Sequence, residues 1–235
     1  MKAIILAAGL GTRLRPITNK TPKSLVKVMN ESMAERQVRF LKEKGINDIT
    51  IVTGYLAEKF EYLKDKYDVN LVFNDKYDKY NNIYTMYLVK EMLPDSYVVE
   101  GDVYMNNNIF KSDLKESSYF SCYKEDFSNE WELKFDSENK IKDVVVGDGN
   151  GYIMCGVSYW SKEDGEFIKS KLEKISDIND YKNLYWDNIV KDNISNLNIK
   201  IEKLNEYDLF EIDSIADLEA TEKKLSNIYC DDISI

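Results

Sequence analysis

Three features of this 235-residue chain have the residue types and spacing to do chemistry. The first is a glycine-rich stretch, Gly9-Leu10-Gly11-Thr12-Arg13, that runs on through Pro16 to Thr21-Pro22-Lys23. Glycines in such a loop let backbone N–H groups approach phosphate oxygens with no Cβ in the way. The second is charge. Residues 1–30 carry Lys2, Arg13, Arg15, Lys20, Lys23 and Lys27 and no acid before Glu31, in a chain whose formal net charge is −10. An acidic protein with one acid-free basic segment is suited to bring a small polyanion there, and its overall charge argues against nucleic acid as the partner. The third is Asp102 in Val98-Val99-Glu100-Gly101-Asp102, with Glu100 as a rival two residues earlier. Carboxylates are the hard oxygen donors that magnesium takes, one or two at a time, beside substrate phosphates.

The surrounding pattern says what must position these groups. Residues 2–8 are apolar on both faces, as a central parallel strand is, and the glycine loop follows directly. Ser32-Met33-Ala34-Glu35 has capping-box spacing, and Val38 and Leu41 continue a helical stripe to Gly45. Ile49 to Thr53 predicts a second strand, Leu56, Phe60 and Leu63 a second helix, Val69 to Phe73 a third strand. A helix near Ile83 to Met92 then leads to a fourth strand, Tyr97 to Glu100, which puts Asp102 at its carboxyl end. This alternation predicts an α/β fold, Rossmann-like and doubly wound around a mostly parallel sheet. In such sheets ligands bind beyond the carboxyl ends of the strands, where both the glycine loop and Asp102 fall.

After Asp102 the rhythm changes. Residues 119–124, 131–136, 140–146 and 151–160 predict strands separated by polar turns, Gly147-Asp148-Gly149-Asn150 among them. Helices are expected over 162–174 and 180–192, a strand near 198–204, and a last helix opening at Ser214-Ile215-Ala216-Asp217. No repeat or linker divides the chain, so residues 1–235 are expected to form one domain, with 1–115 the phosphate-binding half and 116–235 the acceptor-binding half, which adds a small β extension across a cleft.

Several classes are excluded at this level. The 43% hydrophobic share argues against disorder. No run approaches the ~18 apolar residues of a membrane span. Cys122, Cys155 and Cys230 lack metal-ligand spacing and there is no histidine, which disfavours zinc and fits a reducing cytoplasm. A Walker loop would need Gly-Lys-Ser/Thr, which is missing, and the dinucleotide fingerprint needs a third glycine where Leu14 stands.

What remains, Leu6-Ala7-Ala8-Gly9 through Gly11-Thr12-Arg13-Leu14 to Pro16 and then Thr21-Pro22-Lys23, resembles the signature of the nucleoside-triphosphate transferases that make nucleotide sugars and related activated alcohols. FLKEKGIND, VFNDKYDKYNN, NEW and LYWDNIVKDNI extend the likeness, and within that family the chain is most similar to the bacterial CTP:phosphocholine cytidylyltransferases. One departure is Ser32, where relatives usually carry proline; a serine there can cap the following helix.

The resemblance implies a magnesium-dependent reaction in which an acceptor phosphate attacks the α-phosphorus of CTP and pyrophosphate leaves. Arg13 and Lys23 would be catalytic, Arg13 at the β/γ-phosphates and Lys23 at the α-phosphate. Leu6, Ala7, Ala8, Gly9, Gly11, Thr12 and Gly101 would line the nucleotide, and Tyr55, Asn81 and Asn82 would meet the pyrimidine, although Asn82 could equally serve the start of a helix. Asp102 and Asp187 are the implied metal ligands. For the acceptor, Glu130, Trp131, Tyr185 and Trp186 offer aromatic faces beside acids, which suit a trimethylammonium group. Trp160 is expected in the core. The likeness leaves open a primary-amine acceptor, phosphoethanolamine or 2-aminoethylphosphonate, then a sugar 1-phosphate. A dead binding subunit would have lost Lys23 or the metal acids, and all are present.

Overall fold

Four strands of the first half pair in parallel; three of them are apolar on both faces and covered on both, and the fourth is a half-exposed edge. The computed structural model, which describes residues 1–175 and 178–231, places β1 (Lys2–Ala7) between β4 (Ile49–Thr53) and β6 (Ser96–Glu100), with Ile5 level with Ile51 and with Val99. Ala3, Ile4 and Ile5 are fully buried there. β5 (Asn70–Phe73) closes this edge in parallel with β4. Between β1 and β4 run a two-residue hairpin, β2 (Lys27–Val28) and β3 (Glu31–Ser32), and α1 (Met33–Glu43), whose N-cap Ser32 accepts from the Glu35 N–H as its spacing predicts. α2 (Glu61–Tyr67) and α3 (Asn82–Leu88) follow, shorter than their apolar stripes suggested because a 3-10 turn replaces part of each, Ala57–Phe60 before α2 and Lys90–Met92 after α3.

The second half adds strands to the same sheet. β8 (Ser117–Phe135) and β9 (Ile141–Trp160) form one long antiparallel hairpin, and β9 also runs antiparallel to β6. β10 (Ile199–Leu204) pairs in parallel with β8, so the sheet order is β10-β8-β9-β6-β1-β4-β5. The four strands predicted over 119–160 are therefore halves of two. Gly147-Asp148-Gly149-Asn150 lies inside β9 and not at a turn. Asp148 accepts from the Asn129 N–H and the Ser128 hydroxyl, and register shifts at Phe127 and Glu130 let the hairpin bend without breaking. The helix expected over 180–192 shrinks to α5 (Asp187–Asp192), because the backbone before it is tied to α3.

Helices cover both faces. Val38 and Leu41 of α1 and Leu63 of α2 pack on one side with Ile5, Ile51 and Val99. Ile83 and Met86 of α3 pack on the other with Ile4, Val98 and Trp160, joined by Ile168 and Leu172 of α4 (Lys162–Glu173) and Ile189 of α5. A third cluster lies under α6 (Ile215–Asp231), where Leu218 and Leu225 cover Leu14, Val28 and Met33. A separate two-stranded pair, β7 (Val103–Met105) with β11 (Leu209–Glu211), brings the end of the chain back to residue 102. Among the described residues, no helix is long and apolar enough to cross a membrane.

Candidate active site

The loop after β1 turns back through a short 3-10 segment, Thr12–Leu14, and Thr18 Oγ1 donates to the Gly11 carbonyl at 2.7 Å. Gly11 has φ 59°, and a Cβ there would lie 2.8 Å from Cβ of Lys23. A side chain at this position would strain the backbone and push on the lysine. Gly101, just past β6, is as constrained, since its Cβ would meet the Leu6 carbonyl oxygen at 2.8 Å. Gly11 thus lies against Lys23 itself, and Gly101 against the end of β1 and the neighbouring Ser24.

Lys23 points into the cleft with only 16% of its side chain exposed. Its Nζ donates to Asp102 Oδ2 at 2.6 Å and to Asp213 Oδ1 at 2.5 Å. Burial works against the ammonium charge, but Asp102 and Asp213 more than offset it and hold the Lys23 pKa above the ordinary lysine value. Arg13, largely exposed, also donates to Asp213 Oδ1, at 2.7 Å. Asp213 stands beside Asp102 because β11 pairs with β7 and the Ile212 N–H donates to the Asp102 carbonyl at 3.0 Å. Asp102, Glu211 and Asp213 bring carboxylate oxygens within 4.8 Å of one another, an all-oxygen set suited to a hard divalent cation.

Two lobes of one cleft meet at Lys23, Asp102 and Asp213. One, of about 340 Å³, is lined by Leu6, Ala7, Ala8, Gly9, Gly11, Thr12, Arg13, Asn81, Asn82 and Gly101, so nearly every residue expected at the nucleotide falls on it. Tyr55 is the exception: its N–H donates to the Ala8 carbonyl and its ring stands behind Tyr77, centroids 6.4 Å apart. Tyr77 and Tyr80 line the lobe and were missed, although Lys76-Tyr77-Asp78-Lys79-Tyr80 sits at the carboxyl end of β5, where ligand contacts concentrate.

The other lobe, of about 490 Å³, holds Glu130, Trp131, Tyr185, Asp187, Glu211 and Met154. The rings of Trp131 and Tyr185 stand perpendicular, 6.1 Å between centroids, and Glu130 pairs with Lys124 at 2.6 Å. Trp186 does not join them. It is 2% exposed and packs edge-on against Trp160, itself fully buried, because successive residues of this short segment point to opposite sides.

Asp187 faces the second lobe apart from the Asp102 cluster, and the Tyr119 hydroxyl donates to it at 2.8 Å. Burial pushes its carboxyl up to about 7, the Tyr119 hydrogen bond pulling the other way. An unfolded aspartate titrates near pH 4. Between roughly those values the folded chain binds the extra proton, so stability falls as pH rises from about 4 to about 7. In urea unfolding with a chelator present, Asp187→Asn is expected to remove about 1–3 kcal/mol of the loss between pH 5 and pH 8. An unchanged pH slope in the variant would assign that loss to other groups.

Comparison with known proteins gives the same fold and more. The family model for nucleotidyl transferases matches residues 2–122. The chain is 52% identical to the choline-phosphate cytidylyltransferase of Streptococcus pneumoniae, over 97% of this chain and 99% of that one. It is 40% identical to the choline-phosphate cytidylyltransferase of Haemophilus influenzae, over 96% and 98% of the two chains. The solved structure of CTP:phosphocholine cytidylyltransferase from S. pneumoniae superposes with a TM-score of 0.93, covering 95% of this chain and 98% of that one.

Proposed function

The chain belongs to the nucleotidyl transferase family, and from that premise we propose that it joins CTP to phosphocholine, giving CDP-choline and pyrophosphate. The observation that carries this reading is the position of Lys23 where the lobe lined by the glycine loop meets a lobe walled by Trp131 and Tyr185. A triphosphate in the first and a phosphorylated quaternary amine in the second would bring their phosphates together at that ammonium.

An acceptor phosphate oxygen attacks the α-phosphorus, the new P–O bond forms opposite the breaking bond to the β-phosphate, and pyrophosphate carries away the electron pair. The attacking phosphate is already ionised near pH 7, so no general base is required, in keeping with a chain that has no histidine. Catalysis then rests on positioning and charge neutralisation. Backbone amides from Ala8 to Gly11 hold the phosphates, Arg13 takes the β/γ end, and Lys23 takes the α-phosphate and the incoming phosphate. The carboxylates of Asp102 and Asp213 fit magnesium, which would neutralise phosphate charge when bound, with Glu211 at the edge of the set. On this assignment Asp187 serves the acceptor lobe. Residues 1–115 act as the nucleotide half and 116–235 as the acceptor half of one catalytic unit. A nucleotide substrate and the free cysteines Cys122 and Cys155 support a reducing cytoplasmic setting.

Pyrophosphate release tests this, with Mg²⁺ and each nucleoside triphosphate against phosphocholine, phosphoethanolamine, 2-aminoethylphosphonate and sugar phosphates. CTP with phosphocholine is expected to give the highest kcat/KM; another preferred acceptor would replace this assignment, and no release with any pair would end the enzyme reading. Trp131→Ala is expected to raise the phosphocholine KM about tenfold, as loss of a desolvated cation–π contact of ~1–2 kcal/mol would. The CTP KM should stay within about twofold, and an unchanged phosphocholine KM would remove Trp131 from the pocket.

A further inference from the structure

Asn82 is engaged at both ends of its side chain. The Trp186 N–H donates to its Oδ1 at 2.9 Å, and its Nδ2 donates to Glu100 Oε1 at 3.0 Å. A backbone N–H can be met only by the amide oxygen, so the NH2 group must face Glu100. Beside it the Asn81 N–H donates to the Lys182 carbonyl at 2.9 Å. These bonds reach from the start of α3 to the segment before α5, which has no helix or strand of its own between residues 182 and 186. That segment presents Tyr185, 48% exposed, whose ring completes the corner with Trp131.

We propose that Asn82 is a positioning residue for the acceptor: a strut from Glu100, at the end of β6, that sets the Tyr185 wall of the second lobe, and not a reader of the base. With its oxygen and NH2 both committed, it has little left to offer a pyrimidine edge. Within its own segment Tyr185 is tied only to Asn188, whose Oδ1 accepts from its N–H at 2.8 Å and whose N–H donates to its carbonyl at 3.1 Å, so this turn moves as a unit and the bonds to α3 set where it stands. Losing the strut should let the aromatic corner open while the loop that holds the triphosphate stays in place. The proposal rests on the second lobe being the acceptor site.

Separate KM values for nucleotide and acceptor test it. Asn82→Ala is expected to raise the acceptor KM about tenfold and to leave the CTP KM within about twofold. Asn82→Asp keeps an acceptor for the Trp186 N–H but sets a carboxylate against Glu100, and is expected to do the same. In the double variant Asn82→Asp/Glu100→Gln the new amide donates and the new carboxylate accepts, so the link is remade in reverse with the charge count unchanged. Its acceptor KM is expected to return to within about threefold of that of Glu100→Gln alone. A raised CTP KM with an unchanged acceptor KM in Asn82→Ala would overturn the proposal in favour of a base contact. A double variant no better than Asn82→Asp would also overturn it, and that comparison stands even where Asn82→Ala folds poorly. These ratios are read with whichever acceptor the unaltered protein turns over, so a wrong acceptor in the proposed function does not decide them.

Discussion

Lys23→Met is expected to lower kcat about a hundred- to a thousandfold, the cost of removing one preorganised charge donor from a phosphoryl-transfer site. The same substitution should strengthen metal binding to the nucleotide-free protein. The ammonium of Lys23 bridges Asp102 and Asp213, and Arg13 adds a second cation on Asp213, so the proposed phosphate-binding cations occupy the proposed metal-binding carboxylates. Metal must displace Lys23 from its partners, and phosphate must draw it away. Each ligand therefore removes a competitor of the other, which makes their binding mutually favourable by the same factor in both directions. Arg13 contributes less, because its side chain is 69% exposed and its pair is screened. Mn²⁺ titration of the nucleotide-free protein, followed by electron paramagnetic resonance, should show about tenfold tighter binding in Lys23→Met and a smaller gain when CTP is then added. Tenfold corresponds to about 1.4 kcal/mol, modest for a partly buried ion pair. Weaker metal binding in the variant would mean that Lys23 supports the carboxylates and does not compete for them.

The Lys23 half of this arrangement is legible in the sequence because it is local. Gly11, Arg13 and Lys23 lie within one loop, and the absence of acids before Glu31 marks that loop as an anion site without any knowledge of tertiary contacts. Asp102 is legible for a related reason: four strands alternate with helical stripes, and the residue just past the fourth must fall at the carboxyl edge of the sheet. Asp213 is not. It reaches the site through β11, three residues long and paired with the equally short β7, and three residues carry no periodicity to read. The expectation of Trp186 in the pocket fails because residues 182–186 belong to no helix or strand whose periodicity could be read. The tertiary bond from its N–H to Asn82 fixes a segment in which Tyr185 stays half-exposed and Trp186 is buried. The bulged hairpin hid its continuity in the same way: glycines and Asp148 signal a turn locally, while the strand partners across it keep the chain extended.

Asp213→Asn and Asp187→Asn separate the two carboxylates that could accompany Asp102 at the metal. Asp213 shares the Lys23 ammonium with Asp102 and lies in the same oxygen cluster, whereas Asp187 is bonded by the Tyr119 hydroxyl and stands outside that cluster. An amide keeps one neutral oxygen but loses the charge on which a hard cation depends. Asp213→Asn is expected to cost about a hundred- to a thousandfold in kcat/KM, the scale set by removing one electrostatic contact from a preorganised site. It should also raise the Mg²⁺ concentration for half-maximal rate at least tenfold. Asp187→Asn should leave that Mg²⁺ concentration unchanged and raise the acceptor KM instead, because its carboxylate faces the lobe where a quaternary ammonium would sit. A shifted Mg²⁺ requirement in Asp187→Asn, with none in Asp213→Asn, would reverse the assignment and bring the metal to the Tyr119 side of the cleft. Because Lys23 holds Asp213 in the nucleotide-free protein, Asp213→Asn also frees one end of that ammonium. Combined with Lys23→Met, its effect on Mn²⁺ binding should therefore differ from the sum of the single effects, since both residues act on one cluster.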